Sequence, residues 1–301
     1  MQKITPHLWF DKNGEEAATF YTSVFNNGKI LSTTRYTEAG HDVHGMEAGT
    51  VLTVGFEIEG YTITALNGGP HFKITPAISF IVNCPTKEEV DELWAKLSEG
   101  GKTLMPLNTY PFSERYGWIQ DQYGVSWQLM FSEQTTVRTI VPSLMFVGDR
   151  AGKAEEAINF YVSIFEDSKV GDISRYGAGQ PPDKEGTVMY ADFTLAGQKF
   201  AAMDSAQTHE FTFNEGVSLL VECKTQEEID YFWGKLSAVP ESEQCGWLKD
   251  KYGVSWQIVP GGMDEMLNDP DKEKANRAMN AMLAMKKIDI SGIQNAYEGK
   301  E

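Results

Sequence analysis

Gly117-Trp118-Ile119-Gln120-Asp121-Gln122-Tyr123-Gly124-Val125-Ser126-Trp127-Gln128 returns near the end of the chain as Gly246-Trp247-Leu248-Lys249-Asp250-Lys251-Tyr252-Gly253-Val254-Ser255-Trp256-Gln257. Working outward, Glu15-Glu16-Ala17 through Phe25 returns as Glu155-Glu156-Ala157 through Phe165, and Arg35-Tyr36 as Arg175-Tyr176. Thr86-x-x-Glu89 likewise returns as Thr225-x-x-Glu228. The spacing between copies is constant over most of their length and shortens only before the closing motif, so the second copy lacks part of the stretch Gly101–Tyr116. A period this long is a whole domain duplicated in tandem, not a solenoid repeat. The boundaries read as 1–135, 139–260 and a tail, 261–301.

The 301 residues are 41% hydrophobic, enough for two ordinary cores, without an apolar run that could span a bilayer. The N-terminal residues lack the basic-then-apolar pattern of a signal peptide, and the expected address is cytoplasmic. A net charge of −17 repels phosphate backbones and anionic lipid heads, which argues against nucleic-acid or membrane partners. Cys84 and Cys223 occupy the same place in each repeat and Cys245 stands where the first repeat has Tyr116, a pattern of packed, reduced thiols.

Ala17, Phe20, Tyr21, Val24 and Phe25 form one apolar helical stripe, repeated by Ala157, Phe160, Tyr161, Ile164 and Phe165. A second helix opens in each copy with the Thr-x-x-Glu capping box. Between the helices lie strand-like runs, with hairpin turns at Glu59-Gly60 and Ala196-Gly197. The fold class is α+β: two tandem modules, each of paired βαβββ units forming a curved sheet with a cleft, followed by a C-terminal helical tail. In the tail Ala275, Met279, Met282 and Lys286 step at helical spacing, predicting one amphipathic helix that packs on its own domain or on a sister subunit.

Taken together, Ile4-Thr5-Pro6-His7-Leu8-Trp9-Phe10, the Glu-Glu-Ala-x-x-Phe-Tyr helix, the Arg-Tyr pair, Gly-Val-Ser-Trp-Gln and the Met-rich tail resemble the PhnB-like branch of the glyoxalase/bleomycin-resistance/dioxygenase superfamily, over both halves. Domains of this branch sometimes carry the label 3-demethylubiquinone methyltransferase. The chain shows no glycine-rich strand-to-helix loop for a nucleotide-like cofactor, so methyl transfer is discounted. Metal-using members of the superfamily hold one divalent ion in the curved sheet with His/Glu-type ligands. The resemblance carries the first ligand position onto His7, whose copy is Ser143, and a middle position onto Asn67 and Asp204. It carries the last, a Glu in metalloenzyme members, onto Gln128 and Gln257. A neutral amide grips a divalent cation far less well than a carboxylate, so no complete metal shell and no cofactor are expected, a divalent metal being the alternative.

Strand alternation selects the side chains that meet a ligand. If Gln128 faces the cleft then so does Ser126, with Trp127 in the core, and Ser255 and Gln257 follow suit around Trp256. By the same parity His7 and Trp9 face the cleft in the first half, Ser143 and Met145 in the second, while Leu8, Phe10, Leu144 and Phe146 pack inside. Arg35 and Arg175 sit at matching strand ends, able to hold an anion or to pair with neighbouring carboxylates. His41 and His44 form an H-x-x-H in a Gly-rich loop read as solvated. The expectation is a small-molecule binding protein using His7, Trp9, Arg35, Asn67, Ser126, Gln128, Ser143, Met145, Arg175, Asp204, Ser255 and Gln257. The alternative is a divalent-metal-dependent lyase, isomerase or dioxygenase, and a homodimer is an assembly the tail would allow.

Overall fold

The computed structural model describes residues 2–300. The first repeat runs β1 (Ile4–Phe10), α1 (Gly14–Val24), β2 (Lys29–Arg35), the short α2 (His41–His44), β3 (Val51–Ile58), β4 (Tyr61–Asn67), β5 (Ile78–Cys84), α3 (Lys87–Leu97), β6 (Lys102–Tyr110), β7 (Ser113–Gln120) and β8 (Ser126–Phe131). The second runs β9 (Thr139–Val147), α4 (Ala154–Ile164), β10 (Lys169–Arg175), β11 (Val188–Leu195), β12 (Gln198–Ser205), β13 (Val217–Cys223), α5 (Gln226–Leu236), β14 (Trp247–Lys249) and β15 (Ser255–Pro260). Both expected hairpins form, Glu59-Gly60 and Ala196-Gly197 each taking the consecutive positive φ values of a tight two-residue turn. The N-cap half of each expected capping box forms: the Thr86 hydroxyl accepts from the Glu89 backbone N–H at 3.2 Å and Thr225 from Glu228 at 3.3 Å, while the Glu89 carboxylate accepts from Arg138 and that of Glu228 from Lys3 and Lys224 N.

The repeated closing motif is a structural joint. In each copy a buried aspartate closes the turn between the last two strands. Asp121 accepts from Tyr123 N at 2.9 Å, Val125 N at 3.0 Å, Trp127 Nε1 at 2.8 Å and Tyr21 Oη at 2.8 Å. Asp250 does the same with Tyr252, Val254, Trp256 and Tyr161. Gly124 and Gly253, at φ +89° and +92°, supply the left-handed residue the turn needs. Burial pushes the Asp121 carboxyl up and these donors oppose it, so the turn, the α1 helix and the core indole are held by one group. Trp127 and Trp256, as expected, are fully buried beneath the helices.

The core is built within a repeat and the sheets are built between repeats. Tyr21 and Phe25 of α1 pack on Trp127 at ring separations of 5.4 and 5.1 Å, all inside the first repeat. The strands, however, form a 7-stranded sheet ordered β14-β15-β13-β1-β4-β3-β2 and an 8-stranded sheet ordered β10-β11-β12-β9-β5-β8-β7-β6. Each sheet therefore joins one βαβββ unit from each repeat, through the antiparallel pairs β1–β13 (His7 opposite Ser218) and β5–β9 (Ser79 opposite Ser143).

The residues missing from the second repeat are the strand β6, which pairs with β7 in the first. In the second repeat the tail stands at that edge: Cys245 N and Gly246 N donate to the carbonyls of Met285 and Lys286, both at 2.8 Å. The tail is not the single helix expected. It folds as α6 (Met263–Leu267), α7 (Lys272–Leu283) and α8 (Ile290–Glu298), with α7 ending before Met285 because that segment turns to meet the β14 edge. Its Ala275, Ala278 and Met279 are buried against this chain's own core. Among the described residues no helix is long and apolar enough to cross a membrane.

Candidate functional site

Helices cover one face of each sheet, and the opposite face, to which both repeats contribute strands, is the cleft side of the sequence reading. The parity reading of the strands holds: Leu8, Phe10, Leu144 and Phe146 are buried on the helix side, and Gln128 and Ser126 share the other face. The pairing of halves needs correction. His7 does not share a cleft with Gln128, as a reading repeat by repeat would have it. It stands on β1 beside Ser218, itself opposite Ser255, in the sheet that carries Gln257. Ser143 stands on β9 opposite Ser79, in the sheet that carries Gln128.

In the Ser143 cleft the glutamine and the indole are satisfied by protein groups. Tyr116 Oη donates to Gln128 Oε1 at 2.8 Å, Gln128 Nε2 donates to Ser79 Oγ at 2.7 Å, and Trp118 Nε1 donates to Ser126 Oγ at 2.7 Å. Tyr116, Trp118, Met145 and Val147 are buried in an apolar cluster, with Leu104, Met105 and Tyr110 of β6 and Met130, Met203 and Phe211 packed against them. Ser143 Oγ is buried without a hydrogen-bond partner among the described residues.

In the His7 cleft the same positions are freer. Gln257 Nε2 donates to Ser218 Oγ at 2.9 Å, repeating the Gln128–Ser79 bond. The partner of its carbonyl is gone, because Cys245 replaces Tyr116 and points its thiol at the Leu283 carbonyl of the tail. Trp247 Nε1, Ser255 Oγ and the His7 imidazole likewise make no hydrogen bond to another described side chain or backbone group. Trp9 forms a wall: its Nε1 donates to Gly69 O at 2.8 Å, and its rings meet Phe72 at 5.0 Å and Trp247 at 5.9 Å, both edge to face. Trp9 and Trp247 lie on β1 and β14, with β13 and β15 between them. At about 4.8 Å per strand the two indoles meet only by reaching across the strands that carry Ser218, Ser255 and Gln257. Burial lowers the His7 pKa to about 4, so the ring is neutral at physiological pH, with one nitrogen an acceptor and the other a donor.

The remaining expected residues lie elsewhere. Asn67 and Asp204 face the helices, not the clefts. Asn67 Oδ1 accepts from Gly14 N at 2.8 Å, and Asp204 Oδ1 accepts from Gly152 N at 2.7 Å and Ala154 N at 3.0 Å, so each pins the start of a helix. Asp204 gives its other oxygen to Val188 N. Arg35 and Arg175 end the outermost strands, exposed. Arg35 donates to Gly49 O, while Arg175 forms a two-pronged pair with Glu155 at 2.7 and 2.8 Å. The H-x-x-H stretch, expected as a loop, is the short helix α2, where His44 Nδ1 accepts from Met46 N and Nε2 donates to Ala39 O, fixing the segment's two ends.

Tested against a divalent ion, the cleft residues do not fit. The His7 cleft offers one imidazole, one amide and hydroxyls, its neighbouring carboxylate Glu215 being paired with Lys249 at 2.7 Å, and in the Ser143 cleft the imidazole of His209 is bonded to Ser205 Oγ at 2.8 Å. Asp204, the one carboxylate at the family's ligand positions, is committed to backbone N–H groups on the other face. Among the described residues no three His, Cys, Asp or Glu side chains are grouped to hold a metal. Residues that the sequence reading passed over are Ser79, Ser218, Tyr116, Trp118 and Trp247. Their signal was present, since Ser79 and Ser218 match between the repeats and share the parity of the two glutamines through Ile81 and Leu220.

Comparison with known proteins places this geometry. The profile of the family described as 3-demethylubiquinone-9 3-methyltransferase matches residues 2–130 and again 138–259. No curated protein matches the chain. Among solved structures, the PhnB protein from Bacillus cereus is 42% identical over 44% of this chain and 100% of its own, with a TM-score of 0.40. A Staphylococcus aureus protein is 30% identical over 44% of this chain and 97% of its own, with a TM-score of 0.18. A glyoxalase I mutant from Zea mays matches at 11% identity, covering 88% of this chain and 96% of its own at a TM-score of 0.50, a likeness of fold.

Proposed function

From the chain's membership of the 3-demethylubiquinone-9 3-methyltransferase family, to which both repeats belong, together with its PhnB-like, glyoxalase-type fold, we propose that it binds a small molecule in the His7 cleft without a metal ion. The observation that carries this is the contrast in hydrogen bonding. A polar group already bonded inside the protein has little to offer a ligand, whereas one without a protein partner is available to it. In the Ser143 cleft the Gln128 and Trp118 groups are satisfied internally. In the His7 cleft the equivalent groups of Gln257 and Trp247 are left for a ligand, with a neutral imidazole between them and aromatic walls around them, the usual make-up of a small-molecule site.

The charged side chain beside these lining groups, Lys249 opposite Ser255, is paired with Glu215 at 2.7 Å, so a neutral ligand suits the cleft better than an anion. Methyl transfer, the chemistry in the family's description, would require a place for a methyl donor, and neither cleft supplies a phosphate- or nucleoside-binding loop. The buried thiols of Cys84 and Cys223, each pushed up to about 12 by burial, are inert packing groups and agree with a reducing, cytoplasmic setting.

The test is a thermal-shift screen of small neutral aromatic compounds on the full chain, followed by calorimetry on His7→Ala and Ser143→Ala. Loss of about 1.4 kcal/mol in His7→Ala, roughly a factor of ten, with Ser143→Ala within twofold of the parent, is expected. The reverse ranking would overturn the proposal.

A further inference from the structure

The two clefts are copies of one another, and one of them carries its own occupant. Tyr116 lies in the Ser143 cleft with its ring among Trp118, Met145 and Val147 and its hydroxyl donating to Gln128 Oε1 at 2.8 Å. Its counterpart is Cys245, whose backbone takes a positive φ and whose thiol turns to the tail. The ring is therefore absent from the His7 cleft, along with the β6 side chains Leu104, Met105 and Tyr110 that close the other cleft. The tail does not refill that space, because Met282, Leu283, Met285 and Ile288 pack into the helix-side core. What remains is a partly buried Trp247 where Trp118 is 8% exposed, and a Gln257 carbonyl without its donor.

Resting on the proposed function above, we infer that the ligand of the His7 cleft is an aryl hydroxyl, a phenol-like ring whose O–H donates to Gln257 Oε1 from the place that Tyr116 fills in the other cleft. The ring lies against Trp247 and Val259, the counterparts of Trp118 and Met130. The hydroxyl oxygen, once its proton is donated, accepts from the neutral His7 or from Trp247 Nε1. A phenolate is disfavoured, since the nearby cation, Lys249, is neutralised by Glu215 at 2.7 Å and Gln257 turns an acceptor toward it.

The free form of the tyrosine side chain, p-cresol, is the probe. Titrated into the full chain and followed by the indole ¹⁵N–¹H signals, it is expected to bind about tenfold more tightly than 4-methylanisole, which has the same ring and no donor. That preference should vanish in Gln257→Leu, and binding of both compounds should be lost in Trp247→Ala. Equal affinity for the phenol and its ether, with both lost in Trp247→Ala, overturns the aryl-hydroxyl assignment and leaves the His7 cleft as the binding site. A preference that survives Gln257→Leu also overturns the assignment. If neither compound perturbs Trp9 or Trp247, or binding ignores Trp247→Ala, both readings fail.

Discussion

The Ser143 cleft and the His7 cleft start from the same strand plan and end as opposites. In the first, a ring and a strand supplied by the chain close the face, and each glutamine or indole finds an internal partner. In the second, loss of the β6 residues and the change from Tyr116 to Cys245 leave the same glutamine and indole without one. Duplication thus separates two properties that a single copy would have to combine. One sheet has a well-packed face that stabilises the molecule, and the other leaves its glutamine carbonyl and indole N–H free of protein partners.

Truncating the matched tryptophans should split the clefts most widely. Trp118→Ala removes a buried indole and its bond to Ser126 and should cost about 3–5 kcal/mol of unfolding free energy with ligand binding retained. Trp247→Ala should cost less, about 1–2 kcal/mol, since the ring is less fully buried and its N–H has no protein partner to lose, and should abolish binding. Denaturant melts paired with ligand titration measure both, and equal destabilisation by the two changes would break the comparison.

The glutamines come next. Gln128→Ala strands the Tyr116 hydroxyl in a buried site and should cost about 1–3 kcal/mol, whereas Gln257→Ala should cost well under 1 kcal/mol, because its carbonyl has no protein donor to strand. The unfolding midpoints at a fixed m-value decide this.

How much of this could be read from the chain depended on how local the information was. The helical stripes, the N-caps at Thr86 and Thr225, the hairpins at Glu59-Gly60 and Ala196-Gly197 and the core position of Trp127 and Trp256 follow from short-range spacing, and all are found. Parity along a strand also told which of His7 and Leu8, or Ser126 and Trp127, would face the cleft. It could not tell which strand lies alongside which. Grouping His7 with Gln128 assumed that a repeat builds its own sheet, and the pairing of β1 with β13 is a long-range choice that no local pattern records. Asn67 and Asp204 were misplaced for a related reason. A short polar residue at a strand end serves equally to bind a ligand or to pin the backbone N–H groups of the next helix, and only the orientation of α1 and α4 decides. The tail's break after Leu283 was hidden because the β14 edge it covers lies far away in the chain.

A pH-dependent effect also separates the clefts. His7 titrates at about 4 in the folded protein, below its ordinary value of 6.5, so between these values the unfolded chain binds more protons than the folded one. Stability from this residue is complete above pH 6.5 and is lost as pH falls toward 4. The parent should therefore lose up to about 2–3 kcal/mol more than His7→Ser across that window. Ligand binding should stay flat from pH 8 to pH 5, as the ring is neutral throughout. Identical pH–stability curves for parent and variant would remove His7 from the argument. Smallest of all, Arg175→Ala breaks an exposed pair with Glu155 on the outermost strand, and should change stability by less than about 1 kcal/mol and leave binding untouched. A binding defect there would extend the site to the sheet edge.

The most direct examination of the central claim uses the chain's 7 tryptophans as reporters. With the indole ¹⁵N–¹H signals assigned by single Trp→Phe changes, a neutral aromatic compound found by the thermal-shift screen is titrated into the intact protein. Shifts confined to Trp9 and Trp247, with Trp118 unmoved, are the predicted result. Shifts at Trp118 with Trp9 and Trp247 silent would contradict it, by placing the ligand in the cleft whose glutamine and indole are already satisfied.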